Sequence, residues 1–121
     1  MNLTRKQKKE INKIAKKRKL RLIIAFGSYV TGKTHPESDI DIAVLPEKRN
    51  FELFKIFSYL QEDFENVFPG MKTDISFINR ADPLLLSKIC EDSFLLYGNS
   101  REYRELKLYS FKRYNDYLPY F

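Results

Sequence analysis

No run in the sequence approaches the ~18 consecutive apolar residues of a membrane span, so nothing in it reads as a transmembrane helix. The N-terminus also lacks the apolar stretch of ~7–15 residues that marks a secretory signal. A single cysteine, Cys90, has no partner for an internal disulfide. Together these absences predict a cytoplasmic protein. One cysteine and one histidine argue against a Cys/His structural zinc site. Repeats, low-complexity tracts and Gly/Ser linkers are missing too, and 121 residues leave no room for separate catalytic and substrate domains. The chain therefore reads as one domain, residues 1–121, and its 43% hydrophobic content is enough to build a core.

Acid is scarce at one end. Residues 1–21 carry ten Lys/Arg against Glu10 alone, whereas the remainder carries twelve against fifteen acids, so the net charge of +6 belongs to one segment. That segment predicts a basic N-terminal helix (residues 1–19). It suits a solvated face, or attraction to an acidic partner, an acidic lipid surface or nucleic acid. Without a base-reading motif, any nucleic-acid binding is expected to be weak and free of sequence preference.

Periodicity supplies the elements. Ile11, Ile14 and Ala15 share one face of a predicted helix over residues 4–19. Leu20–Phe26 is apolar and short, a buried strand broken by Gly27-Ser28. A second strand spans 39–45, ending at Pro46. A helix follows over 51–67, with Asn50 as N-cap and Pro69-Gly70 as its stop. Residues 72–78 form a third strand. Asp82-Pro83 opens a helix running to about Asp92, and Phe94–Tyr97 forms a short edge strand. The last helix covers 100–117 within a Tyr-rich C-terminal part (residues 100–121) holding Tyr103, Tyr109, Tyr114, Tyr117 and Tyr120. This order predicts a small α/β (α+β) domain, a mixed sheet flanked by helices. Cys90 reads as a small core residue and His35 as an exposed loop residue.

Residues 27–34, Gly27-Ser28-Tyr29-Val30-Thr31-Gly32-Lys33-Thr34, match the P-loop pattern G-x-x-x-x-G-K-[ST]. The mechanics reject it. A P-loop passes into a long helix and a parallel crossover of a dozen or more residues. Here His35-Pro36 follows at once, and the next strand begins by Asp39. The same residues fit a phosphate cradle of another design. Gly27 lets backbone N–H groups approach an anion, Ser28 adds a hydroxyl donor, and a short helical turn over 28–33 follows.

Asp39 and Asp41 stand two apart in a predicted strand, so both project from one face. Their repulsion serves no folding purpose, and a divalent cation removes it. Oxygen-only ligands suit Mg²⁺, which takes further ligands from substrate phosphates. Asp74 lies in the third predicted strand; if that strand neighbours the second, it completes a three-carboxylate cluster able to hold two metal ions for in-line displacement at phosphorus. The alternative keeps all three as solvent-facing strand charges, although aspartate is depleted in strands.

Gly27-Ser28, Gly32 and then Ser38-Asp39-Ile40-Asp41-Ile42-Ala43-Val44 resemble the signature of the DNA polymerase β-like nucleotidyltransferases, G-S-x-x-x-G followed by S-D-x-D-h-x-V with h apolar. Asp74 falls where that family places its later metal ligand. The chain length and the stretch at 79–83 are similar to the minimal nucleotidyltransferases, antitoxin partners of HEPN-domain ribonuclease toxins. The resemblance covers roughly residues 20–97. It implies a nucleotidyltransferase fold in which Asp39, Asp41 and Asp74 hold Mg²⁺ and Gly27 and Ser28 contact the triphosphate of ATP. It further implies transfer of AMP to a tyrosine of a HEPN-type toxin within a hetero-oligomer. Asp74 is then the best-placed base for the acceptor hydroxyl. One departure stands out: Thr31 occupies a position where many relatives carry an arginine facing the phosphates, and Lys33 is the candidate replacement. The alternatives are a binding-only antitoxin with a degenerate nucleotide site, and a nucleic-acid-binding module using the basic N-terminus.

Overall fold

The computed structural model describes residues 1–32, 39–48 and 52–118, with Leu53 described by its backbone alone. Helix α1 (Arg5–Lys17) opens at Thr4, whose hydroxyl accepts from the Gln7 N–H while the Gln7 side chain accepts from the Thr4 N–H. Ile11, Ile14 and Ala15 form its buried stripe. Lys19 turns through the left-handed region (φ 56) into β1 (Leu20–Phe26). Gly27 and the single-turn helix α2 (Ser28–Thr31) follow, then β2 (Ile40–Pro46), α3 (Leu53–Val67) and β3 (Thr73–Phe77). A 3₁₀ turn (Ile78–Arg80) leads to α4 (Pro83–Cys90), β4 (Phe94–Tyr97) and α5 (Ser100–Tyr117).

The elements match the expected order, with differences at their ends. α1 stops at Lys17 rather than Lys19, because the chain needs a turn to enter β1. β2 starts at Ile40, leaving Asp39 just before the strand. α2 ends at Thr31 instead of Lys33, since Gly32 takes a left-handed conformation (φ 78) that closes the turn. Ile78 enters the 3₁₀ turn instead of extending β3, and α4 ends at Cys90, two residues short of Asp92. α3 begins at Leu53 behind Glu52; Asn50, expected as its cap, lies outside the described residues. So do Lys33, His35, Ser38, Tyr120 and Phe121.

The sheet order is β3-β2-β1-β4. β1 runs antiparallel to both β2 and β4, while β2 and β3 are parallel, joined by the α3 crossover. The antiparallel β1–β2 pair confirms that the G-x-x-x-x-G-K-T stretch is not a P-loop, which needs a parallel unit. Helices cover both faces. On one, α1 and α3 pack Ile11, Ile14, Leu60 and Phe64 against Ile23, Ala25, Ile40, Ile42 and Ile75. On the other, α4 and α5 pack Leu86, Ile89 and Tyr103 against Ile24, Phe26 and Ala43. The period-2 alternation of β1 and β2 thus feeds two cores at once, which is why both strands read as near-continuous apolar runs.

Candidate active site

The alternation that fills the two cores also sorts the carboxylates. In β2, Ile40, Ile42 and Val44 face the α1/α3 core, which turns Asp41 to the α4/α5 side with Ala43. In β3, Ile75 faces the α1/α3 core and Asp74 the opposite side. Register then brings them together: Asp41 pairs with Asp74 across the parallel β2–β3 ladder and with Phe26 across the antiparallel β1–β2 ladder. A hydrogen bond from Ile40 N–H to the Lys72 carbonyl (2.9 Å) fixes the start of β2 beside the start of β3. The expected adjacency of the second and third strands is therefore present, and Asp41 lies between Asp74 and the end of β1.

That position has an electrostatic consequence. Partial burial, then the Asp74 and Asp39 carboxylates, in that order, push the Asp41 carboxyl above its ordinary value. Asp39 and Asp41 are half-buried and Asp74 is exposed. Among the described residues no group of three or more His, Cys, Asp or Glu side chains is placed so that together they could hold a metal ion. The three carboxylates line an open sheet end instead. Oxygen donors at an open edge suit an ion that takes one or two carboxylates and completes its shell from water and phosphate, as Mg²⁺ does.

Gly27 stands against this cluster. Its backbone is left-handed (φ 82), and a Cβ at this position would overlap Asp41 Oδ2. Only glycine meets both demands. Its carbonyl accepts from the Val30 and Thr31 N–H groups (3.1 and 3.3 Å), and the Thr31 hydroxyl donates to the Ser28 carbonyl (3.1 Å), which together wind α2. Gly27, Ser28, Thr31 and Asp41 line one side of a cleft of about 320 Å³. Asp39 and Asp74 are not among its lining residues.

The far side of the cleft was not legible in the sequence. Lys88, Glu91 and Asp92, from the end of α4 and the turn after it, line it. Asp92 takes a left-handed conformation (φ 45), so the chain reverses there into β4. Lys88 makes no ion pair among the described residues. It is exposed and lines the same cleft as Gly27, Ser28 and Thr31. A helical lysine forty-seven positions from Asp41 in the chain carries no spacing signal; only the packing of α4 on β1 brings it here. Cys90 is partly buried against the α4/α5 core, and burial pushes its thiol up, in line with a packing role.

Comparison with known proteins places this geometry. Residues 9–102 match the family model described as "Polymerase beta, Nucleotidyltransferase". A Methanocaldococcus jannaschii protein that bears a protein adenylyltransferase name is 39% identical over 59 residues, covering 49% of this chain. The aligned part spans 58% of that relative's length. Among solved structures, a chain of a toxin–antitoxin crystal structure with AMP-PNP superposes with a TM-score of 0.74 at 24% identity, covering 90% of this chain and 87% of the other. A chain of the tri-AMPylated Shewanella oneidensis HEPN toxin in complex with MNT antitoxin gives 0.68 at 21% identity, covering 91% and 85%. These likenesses establish the fold, and the family match covers most of the chain, including the glycine turn and all three aspartates: the protein belongs to the polymerase β nucleotidyltransferase family.

Proposed function

We propose that this protein transfers AMP from ATP to a tyrosine hydroxyl of a HEPN-type toxin and so acts as its antitoxin. The observation that carries the reading is the meeting of Asp41, Asp74 and Gly27 at one sheet end within this family. The names of the compared proteins, a protein adenylyltransferase and complexes of a HEPN toxin with its antitoxin, support the substrate and partner. Asp39, Asp41 and Asp74 would hold Mg²⁺, which when bound neutralises phosphate charge and makes the acceptor hydroxyl more acidic.

The chain's own groups do the rest. Gly27 and Ser28 offer close approach and a hydroxyl donor to the triphosphate. Lys88 supplies a cation to the phosphates from the opposite wall, in place of the arginine absent at Thr31. Asp74, the exposed member of the cluster, receives the tyrosine proton as its oxygen attacks the α-phosphorus. The bond from that phosphorus to the bridging oxygen breaks, and pyrophosphate leaves.

Thr31 favours a second reading, a binding-only antitoxin. Incubating the protein with ATP, Mg²⁺ and the product of an adjacent HEPN-type gene separates the two. The first reading expects the partner's intact mass to rise by whole AMP units. Neutralisation of the toxin with unchanged mass establishes the second.

A further inference from the structure

The basic character of residues 1–21 has no part in the catalytic cleft, and the fold gathers some of it elsewhere. A second cleft, of about 440 Å³, lies at the opposite end of the β1–β2 ribbon, where β1 begins and β2 ends. β1 has seven residues, so the two ends are roughly 20 Å apart at ~3.3 Å per residue. Lys17 and Lys19 enter this cleft from the end of α1, Lys48 from beyond β2 and Lys55 from the first turn of α3. Among the described residues Glu52 is its only acidic lining residue.

Folding explains part of this arrangement. A cation at the C-terminal end of α1 offsets the helix dipole, which accounts for Lys17. Lys55 does the reverse: it stands near the N-terminal end of α3, where a cation is disfavoured and no acid occupies the first turn. None of the four lysines forms an ion pair among the described residues. Lys19 is held in a left-handed conformation that non-glycine residues rarely adopt. Four exposed ammonium groups with no ion pair among the described residues, from the end of α1, the turns at this end of the β1–β2 ribbon and the start of α3, therefore line one cleft.

An aromatic platform completes it. Tyr59 lines the same cleft and is 45% exposed. Its ring carries the Arg18 guanidinium at 4.7 Å, and that guanidinium is fixed by Asp63 through bonds of 2.8 and 3.3 Å. Arg18 is thus committed, the ring is braced, and the lysines around it are free to meet phosphates. Phosphate-binding cations flanking an exposed aromatic ring are the means by which proteins hold single-stranded nucleic acid without reading its sequence.

We infer that the cleft formed by Lys17, Lys19, Lys48, Lys55 and Tyr59 binds single-stranded nucleic acid, independently of sequence and of the nucleotidyltransferase site. The test is fluorescence anisotropy of a labelled oligouridine of about 12 nucleotides with the full chain, at about 50 and 200 mM salt. Saturable binding is expected, weakening steeply with salt by about 0.7 log unit per log unit for each phosphate contact. Lys48→Glu with Lys55→Glu should weaken binding at least tenfold and flatten that slope; the milder pair Lys48→Gln with Lys55→Gln should act in the same direction. Tyr59→Ala should weaken binding about fivefold or more while leaving the slope unchanged, because it removes stacking and no charge. Asp41→Asn should bind RNA like wild type. Absence of saturable binding overturns the inference, as do unchanged affinity in the lysine variants or in Tyr59→Ala. Binding to phosphatidylserine vesicles without binding to RNA overturns it in favour of a lipid surface.

Discussion

Asp41 concentrates the physics of the site in one side chain. Its carboxyl is held above the ordinary value of 3.8 by burial and by Asp74 and Asp39. A folded-state value above the unfolded one means that the protonated form contributes stability at low pH, lost as pH rises through the raised folded value. Asp41→Asn is neutral throughout. In thermal melts without metal, the variant should therefore gain on wild type as pH rises from about 3 to 7, and should lose the stabilisation that Mg²⁺-ATP gives wild type. A variant that melts well below wild type at neutral pH without metal would make Asp41 a structural residue. Gly27→Ala tests the same corner from the other side. The left-handed backbone and the overlap with Asp41 should together cost about 1–3 kcal/mol in chemical denaturation. Adding Asp41→Ala should recover the overlap part and leave the backbone part, so the two changes should be non-additive. Lys88 is exposed, and Lys88→Ala should leave the melting temperature near wild type while raising KM for ATP about tenfold, the loss of one charge-assisted contact of roughly 1.5 kcal/mol. Lys88→Arg should restore most of that. An unchanged KM would remove Lys88 from the phosphate site.

Elements decide how these side chains are presented. α4 is short, and its start is fixed by Asp82, whose carboxylate accepts from the Leu85 N–H at 2.8 Å, with Pro83 pre-set for the first helical position. Its buried residues Leu86 and Ile89 hold it on the sheet and aim its C-terminal end at the cleft. Asp82→Ala should cost about 1 kcal/mol in urea denaturation and raise KM for ATP slightly through Lys88, while an N-capping serine should retain most of both. At the other edge, Gly98 lets β4 close on β1: a Cβ there would approach the Arg21 carbonyl to 2.7 Å. α5 divides its aromatic residues. Tyr103 is buried in the α4/α5 core, whereas Leu108, Tyr109 and Phe111 are 70%, 55% and 71% exposed, so the Tyr-rich end both packs and presents an apolar surface.

At the scale of the whole molecule, the proposed reaction separates catalysis from partner contact. Asp39→Asn with Asp41→Asn should abolish AMP transfer, read as no mass increase of the partner, while the complex still co-elutes in gel filtration, because the exposed residues of α5 lie outside the carboxylate cluster. Loss of the complex in the same variant would place the partner on the catalytic end itself. The sequence determined the elements, because each is specified by neighbours within a few residues: the Thr4–Gln7 cap, the Asp82-Pro83 start, and the apolar run of Leu20–Phe26. It also pointed to the candidate site residues, since Gly27-Ser28 and Asp39-x-Asp41 are close in the chain and their spacing is the signal. Element ends were less legible: whether Asp39 belongs to β2, or Ile78 to β3, depends on which neighbouring strand is present to pair with them. The tertiary structure alone decided what lies across from the motif. The pairing of Asp41 with Asp74 requires the parallel β2–β3 register, and Lys88 enters the cleft only because α4 packs on the face of the sheet that Asp41 shares. Likewise, the convergence of Lys48 and Lys55 with Lys17 and Lys19 depends on the antiparallel β1–β2 ribbon and on where α3 begins. Local sequence sets local conformation, but contacts between distant segments are fixed by the register of strands and the burial of helix faces, which a chain acquires only when it folds.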